Sequence, residues 1–204
     1  MLAPQKFSIS GPAGNLEGIA HLPDDPPRAI AVIAHPLPTM GGTMENKVVT
    51  TLAKTFVGLG CVALRFNFRG VGASAGEFDQ GDGEVEDALA VVRHARQEYD
   101  NLPLILAGFS FGGYVQARAA QQLQPQHLVL IAPAVGRFAM PHVQNNTLLI
   151  HGDADEIIPL ADILHWARPQ KLPVVVLPGA EHFFHGHLNQ IKHIVLQHFH
   201  GHSL

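Results

Sequence analysis

The segment Gly108-Phe109-Ser110-Phe111-Gly112-Gly113 has the plainest chemical content in this 204-residue chain. It follows the apolar run LILA and precedes the helical pattern YVQARAAQQL. A serine with glycine two positions away on either side, between a strand and a helix, suits a sharp, strained turn. Side chains at those two positions would collide with neighbouring backbone. A helix that begins there aims backbone N–H groups and its positive dipole end at the serine oxygen. The chain has five serines, Ser8, Ser10, Ser74, Ser110 and Ser203, and Ser110 is the one in this setting. The chemistry that fits is nucleophilic acyl transfer.

A serine hydroxyl is a weak nucleophile until a base takes its proton, and the base needs an acid to orient it. In hydrolases built on such a turn the chain order is serine, acid, histidine. Both partners follow in that order. His151-Gly152-Asp153-Ala154-Asp155-Glu156 comes directly after the apolar run TLLI, and Gly179-Ala180-Glu181-His182 comes directly after VVVL. Asp153, Asp155 and Glu156 compete as the acid, and spacing does not choose among them. His182 competes with His185 and His187, and its place just after the last strand favours it. Upstream, His35-Pro36-Leu37-Pro38-Thr39-Met40-Gly41-Gly42 follows AIAVIA, where a loop should supply one N–H to an oxyanion. Pro36 and Pro38 have no N–H, which leaves Leu37; Phe111, after the serine, is the second donor by position. Apolar residues flank these loops. Met40, Phe138 and Phe183 are candidate substrate contacts, and Phe78, Met140 and Phe184 either join them or cover the core.

The positioning elements are legible as alternating strands and helices. Ala29–Ala34, Val62–Phe66, Leu104–Ala107, His127–Ile131, Thr147–Ile150 and Val174–Leu177 are apolar at nearly every position, as parallel strands buried on both faces are. Lys6–Ser10 and Leu16–His21 alternate more and read as an antiparallel edge hairpin turning at Gly11–Gly14. Helical periodicity marks Asn46–Leu59, Glu84–Tyr99, Phe111–Leu123, Leu160–Ala167 and Leu188–Phe199. This order predicts a mostly parallel central sheet with helices on both faces. Residues 132–146 are too few for a folded cap. No linker, repeat or low-complexity tract divides residues 1–204, so one domain is expected.

Composition removes other classes. Apolar residues are 47% and charged residues 15%, enough for one buried core. The formal charge is −4 and the 13 Lys and Arg are scattered, so nucleic acid is not an expected partner. No apolar run is long enough to cross a bilayer, and the first 20 residues lack a leader's charged start and apolar stretch. Cys61 is the single cysteine, and a cytoplasmic location is the simplest expectation. The 14 histidines include no H-E-x-x-H pair, so neither a metal nor another cofactor is implied.

Five blocks together, HPLPTMGGTMENKVVTTLAK, LRFNFRGVGASAGEFDQG, LAGFSFGG, HGDADEIIP and GAEHFFHG, resemble the small bacterial hydrolases of the α/β-hydrolase superfamily, close to dienelactone-hydrolase-like esterases. The resemblance runs from about residue 29 to residue 190. It implies a lidless α/β-hydrolase fold and carboxylic-ester hydrolysis; without a cap the site should be open, which favours a small-molecule, short-chain ester as substrate. It aligns Ser110 with the nucleophile, Asp155 with the acid, His182 with the base, and Leu37 and Phe111 with the oxyanion donors. Dienelactone hydrolases proper have cysteine at the elbow, so their substrate does not carry over. Many members of the superfamily have Asp where this chain has Asn67. Rival readings are a non-catalytic binding protein on the same fold, or thioester, amide or peracid chemistry on the same three residues. An apolar rim around an open site is compatible with a homodimer.

Overall fold

The computed structural model describes residues 3–200. Eight strands form one sheet: β1 Gln5–Gly11, β2 Gly14–His21, β3 Ala29–Ala34, β4 Cys61–Phe66, β5 Leu104–Phe109, β6 His127–Ile131, β7 Thr147–Gly152 and β8 Val174–Leu177. Their spatial order is β1-β2-β4-β3-β5-β6-β7-β8. β3 to β8 run parallel, and the β1–β2 hairpin joins antiparallel at β4. The helices are α1 Lys47–Gly58, α2 Asp82–Glu98, α3 Phe111–Leu123, α4 Leu160–Ala167 and α5 Leu188–His200. This is the mostly parallel sheet with helices on both faces that the order of apolar runs predicts, and the α/β-hydrolase fold that the resemblance implies. Residues 132–146, between β6 and β7, contain no helix.

The near-continuous apolar strands have a direct physical cause. Successive side chains of a strand point to opposite faces. In β3, Ile30, Val32 and Ala34 pack with α2 and α3, while Ala29, Ala31 and Ile33 pack with α1 and α5. β5 divides the same way, Leu104 and Leu106 against Ile105, Ala107 and Phe109. Both faces are covered by helices, so neither set can be polar. β1 lies at an edge and is mostly exposed, which explains its weaker apolar pattern. α1 starts at Asn46, whose side chain accepts from the Val48 and Val49 N–H groups.

The strand order also fixes where a site can form. From β3 the chain passes through α1 to β4 on one side; β5 lies on β3's other side and leads into α3. The loops after β3 and β5 therefore depart to opposite faces of the sheet. The crevice between them, at the carboxyl ends of the strands, is where ligands bind in such sheets. The loops after β7 and β8 reach the same edge.

Cys61 begins β4 and is fully buried in the core formed with α1. Burial pushes its thiol up to about 12, against the opposing charge of Arg28. The thiolate is the reactive form. The native protein should therefore resist an aromatic disulfide reagent at neutral pH and react with one equivalent on denaturation. Fast native labelling would contradict this packing.

Candidate active site

Ser110 sits between β5 and α3 with φ 54° and ψ −118°, a conformation side chains rarely adopt. Backbone bonds on both sides hold it there. Its N–H donates to the Ile131 carbonyl at 2.9 Å, and its carbonyl accepts from Ala134 at 3.2 Å. The two glycines are steric requirements. A Cβ at Gly108 would overlap the Gly112 carbonyl, and a Cβ at Gly112 would overlap the carbonyls of Ala34 and His35. The first turn of α3 thus lies directly against the end of β3.

The loops after β7 and β8 bring a carboxylate and an imidazole to this turn. His182 Nε2 is 3.0 Å from Ser110 Oγ, and His182 Nδ1 is 2.7 Å from Asp155 Oδ2. The carboxylate can only accept, so Nδ1 carries the hydrogen and Nε2 presents its lone pair to the serine hydroxyl. All three residues are nearly buried, with Ser110 8%, Asp155 5% and His182 5% exposed. Burial pushes the Asp155 carboxyl upward, but the hydrogen bonds from His182 and the Ile158 N–H, with the nearby imidazoles, outweigh it and leave the group below its ordinary value. Its Oδ1 also accepts from Ile157 at 2.9 Å.

The competing residues have other partners. Asp153 accepts from the Gly179 N–H at 2.6 Å, tying the acid loop to the base loop, and Glu156 is exposed. His185 lies 3.7 Å from Glu181, and His187 is bonded to Gln190 at 2.6 Å. Neither points to Ser110. Two buried histidines that the motifs did not single out also support the loops. His151 Nε2 donates to the Ile158 carbonyl at 2.9 Å behind the acid, and His35 lies behind the loop after β3. Nothing local in the sequence marks them, because their partners are backbone groups.

Among the described residues the N–H groups of Leu37 and Phe111 have no hydrogen-bond partner. The Phe111 side chain anchors an aromatic cluster below the site, with Phe68, Phe78, Phe138 and Tyr114 around it. Phe138 stacks on Tyr114 at 4.8 Å, and Phe184 is fully buried in the other core. Phe183 is 46% and Met40 82% exposed, on the base loop and the β3 loop. The loop after β4 is fastened from two sides. Asn67 donates to Glu17 at 2.7 Å and accepts from the Met44 N–H at 2.8 Å, two bonds that need an amide rather than a carboxylate. Arg69 pairs with buried Asp87 at 2.8 Å.

Fold and geometry together define an α/β serine hydrolase. The chain belongs to the family described as serine aminopeptidase, S33, whose model matches residues 25–140. It resembles XC6422 from Xanthomonas campestris, an α/β serine hydrolase without a lid, at 41% identity and TM-score 0.91, covering 96% of this chain and 93% of that one. It also resembles an α/β serine hydrolase homologue from Coxiella burnetii at 40% identity and TM-score 0.89, covering 96% and 97%. The uncharacterised protein RP471 of Rickettsia prowazekii is 34% identical over 89% of this chain and 82% of its own length. Among the described residues no helix is long and apolar enough to cross a membrane.

The buried histidines make acid stability predictable. Burial pushes His35 down to about 4, against the raising effect of its bond to the Pro36 carbonyl. Burial likewise lowers His151 and His21. An unfolded imidazole takes its proton near its ordinary value, while the folded one stays neutral. Stability should therefore fall as pH drops from about 6.5 towards about 4, by roughly 3 kcal/mol from His35 alone. Asp155 acts lower: its contribution is present above about 4 and is lost only as pH falls through its depressed folded value. Urea midpoints measured across this range should decline steadily; a flat profile would contradict neutral burial.

Proposed function

We propose that this serine hydrolase cleaves carboxylic esters through an acyl-enzyme on Ser110. The observation that carries the reading is the unbroken relay from Ser110 Oγ to His182 Nε2 at 3.0 Å and from His182 Nδ1 to Asp155 at 2.7 Å. Ser110 attacks the ester carbonyl while His182 takes its proton. Asp155, held ionised, fixes the tautomer and stabilises the imidazolium that forms. The N–H groups of Leu37 and Phe111 receive the oxyanion. His182 then returns the proton to the leaving alcohol, and water repeats the sequence to release the acid. No cofactor enters any of these steps.

Substrate preference follows from the surroundings of Ser110. The aromatic cluster around Phe111 fills the space below the turn, which favours a short acyl group. Phe138 contributes to that floor through its stack on Tyr114. Met40 and Phe183 stand at the open rim and meet the alcohol portion. Amide cleavage on the same three residues is the second reading, because the matching family is described as serine aminopeptidase.

A panel of p-nitrophenyl esters of increasing acyl length, with aminoacyl anilides alongside, separates the two. Short esters should be turned over fastest, and anilides outpacing them would sink the ester reading. Ser110→Ala should fold normally, lose at least about a thousandfold in rate, and lose labelling by a fluorophosphonate. A folded wild-type protein that forms no adduct at Ser110 would favour a binding protein instead. Leu37→Pro tests the oxyanion donor cleanly. Leu37 has φ −52°, which a proline ring accepts, so the substitution deletes the N–H at unchanged φ, in exchange for a side chain packed against the core. It should cost about 100- to 1000-fold in kcat with KM little changed.

A further inference from the structure

His35 is buried and makes no contact with the reacting groups proposed above, yet both of its ring nitrogens are committed. Nδ1 is 2.6 Å from the Pro36 carbonyl oxygen, and Nε2 is 3.1 Å from the Phe68 backbone nitrogen. Phe68 N–H can only donate, so Nε2 accepts and the ring hydrogen sits on Nδ1. The imidazole therefore donates to the Pro36 carbonyl. Its ring also packs on the Phe68 ring at 4.5 Å.

The Pro36 carbonyl and the Leu37 N–H belong to one peptide unit. No peptide bond among the described residues is cis, so the two groups point in opposite directions across one rigid plane. Fixing the carbonyl fixes the aim of the N–H. The rest of the loop supports the same plane. A Cβ at Gly42 would overlap the Pro36 carbonyl oxygen, so only glycine allows this packing. The next carbonyl, of Leu37, is held by the N–H groups of Met40 at 3.1 Å and Gly42 at 3.0 Å.

From this arrangement we infer that His35 is a positioning residue: its imidazole clamps the Pro36–Leu37 peptide from behind and aims the Leu37 N–H at the oxyanion above Ser110. The inference rests on the reading of Leu37 as an oxyanion donor. The same bond polarises the peptide, which makes the Leu37 N–H a stronger donor. Burial keeps the ring neutral, and a neutral ring is what the two backbone partners require, since a protonated Nε2 would face the Phe68 N–H donor.

The bland alternative is a buried histidine that merely satisfies two backbone groups. Two substitutions separate the ring's bonds. His35→Asn places an amide near Nδ1 and keeps a donor for Pro36; His35→Gln reaches the Nε2 position and keeps an acceptor for Phe68. For His35→Gln we expect kcat on a short ester to fall about 10- to 100-fold with KM within about threefold, because the loss is confined to the transition state. His35→Asn should stay within about fivefold of wild type. A trifluoromethyl ketone, which forms a tetrahedral adduct on serine, should lose affinity in step with kcat.

The coupling to Leu37 decides the matter. In a Leu37→Pro background His35→Gln should add less than about threefold, because the group it aims is gone. An equal penalty in both backgrounds assigns His35 a purely structural role and overturns the inference, as does wild-type kcat in folded His35→Gln. If His35→Gln does not fold, a fall in folded His35→Asn as large as that of Leu37→Pro overturns it. If neither variant folds, His35 belongs to the fold alone and the inference fails. Wild-type kcat in Leu37→Pro, with Ser110→Ala inactive, would remove the oxyanion reading itself. A loss in Leu37→Pro without coupling removes only the role of His35.

Discussion

The structure depends on one close approach, where the first turn of α3 meets the end of β3. Gly112 is the residue that permits it, because any side chain there would enter the Ala34 and His35 carbonyls. The approach sets Ser110 in its left-handed turn, places Phe111 N–H at the helix start, and brings the loop after β3 within reach of both. Strain of this kind costs on the order of 1–3 kcal/mol and persists only where surrounding contacts over-determine it. Here the Ile131 carbonyl and the Ala134 N–H grip the serine backbone from the neighbouring strand and its loop. The elbow is therefore a property of β3, β5, β6 and α3 together.

The second constraint is electrostatic. A carboxylate as buried as Asp155 stays charged only if donors surround it, and the Ile157 and Ile158 N–H groups and His182 do so. The imidazoles behind the loops obey the opposite rule. His35 and His151 are held by backbone partners and kept uncharged by burial, so they carry orientation rather than charge. One residue type thus serves two ends at this edge: His182 touches the serine, while His35 and His151 shape the backbone that faces it.

The loop after β4 shows how a departure from a familiar pattern is absorbed. Asn67 stands where the resemblance leads one to expect Asp. Its amide donates to Glu17 and accepts from Met44, so the β1–β2 hairpin and the start of the α1 loop are joined through one side chain. A carboxylate in that place would face the Glu17 carboxylate. Arg69 and Asp87 then bind the same loop to α2, and Phe78, further along it, packs on Phe111.

The sequence by itself determined the layering. Apolar residues at nearly every position of β3, β5 and β6 demand helices on both faces, and the alternation of strands and helices demands a parallel sheet. It also determined that Ser110 lies on a strand-to-helix turn, since Gly108 and Gly112 are a local steric signature. Spacing alone did not choose among Asp153, Asp155 and Glu156, because three neighbouring carboxylates differ only in what they face; the family resemblance pointed to Asp155. The tertiary structure decided that Asp155 meets His182, that Asp153 holds Gly179 and that Glu156 faces water. It also showed Phe184 to be core, Phe138 to be stacked on Tyr114, and His35 to stand behind the Leu37 peptide. The reason is the same in each case: a periodic pattern is written along the chain, whereas the partner of a side chain is set by residues dozens of positions away.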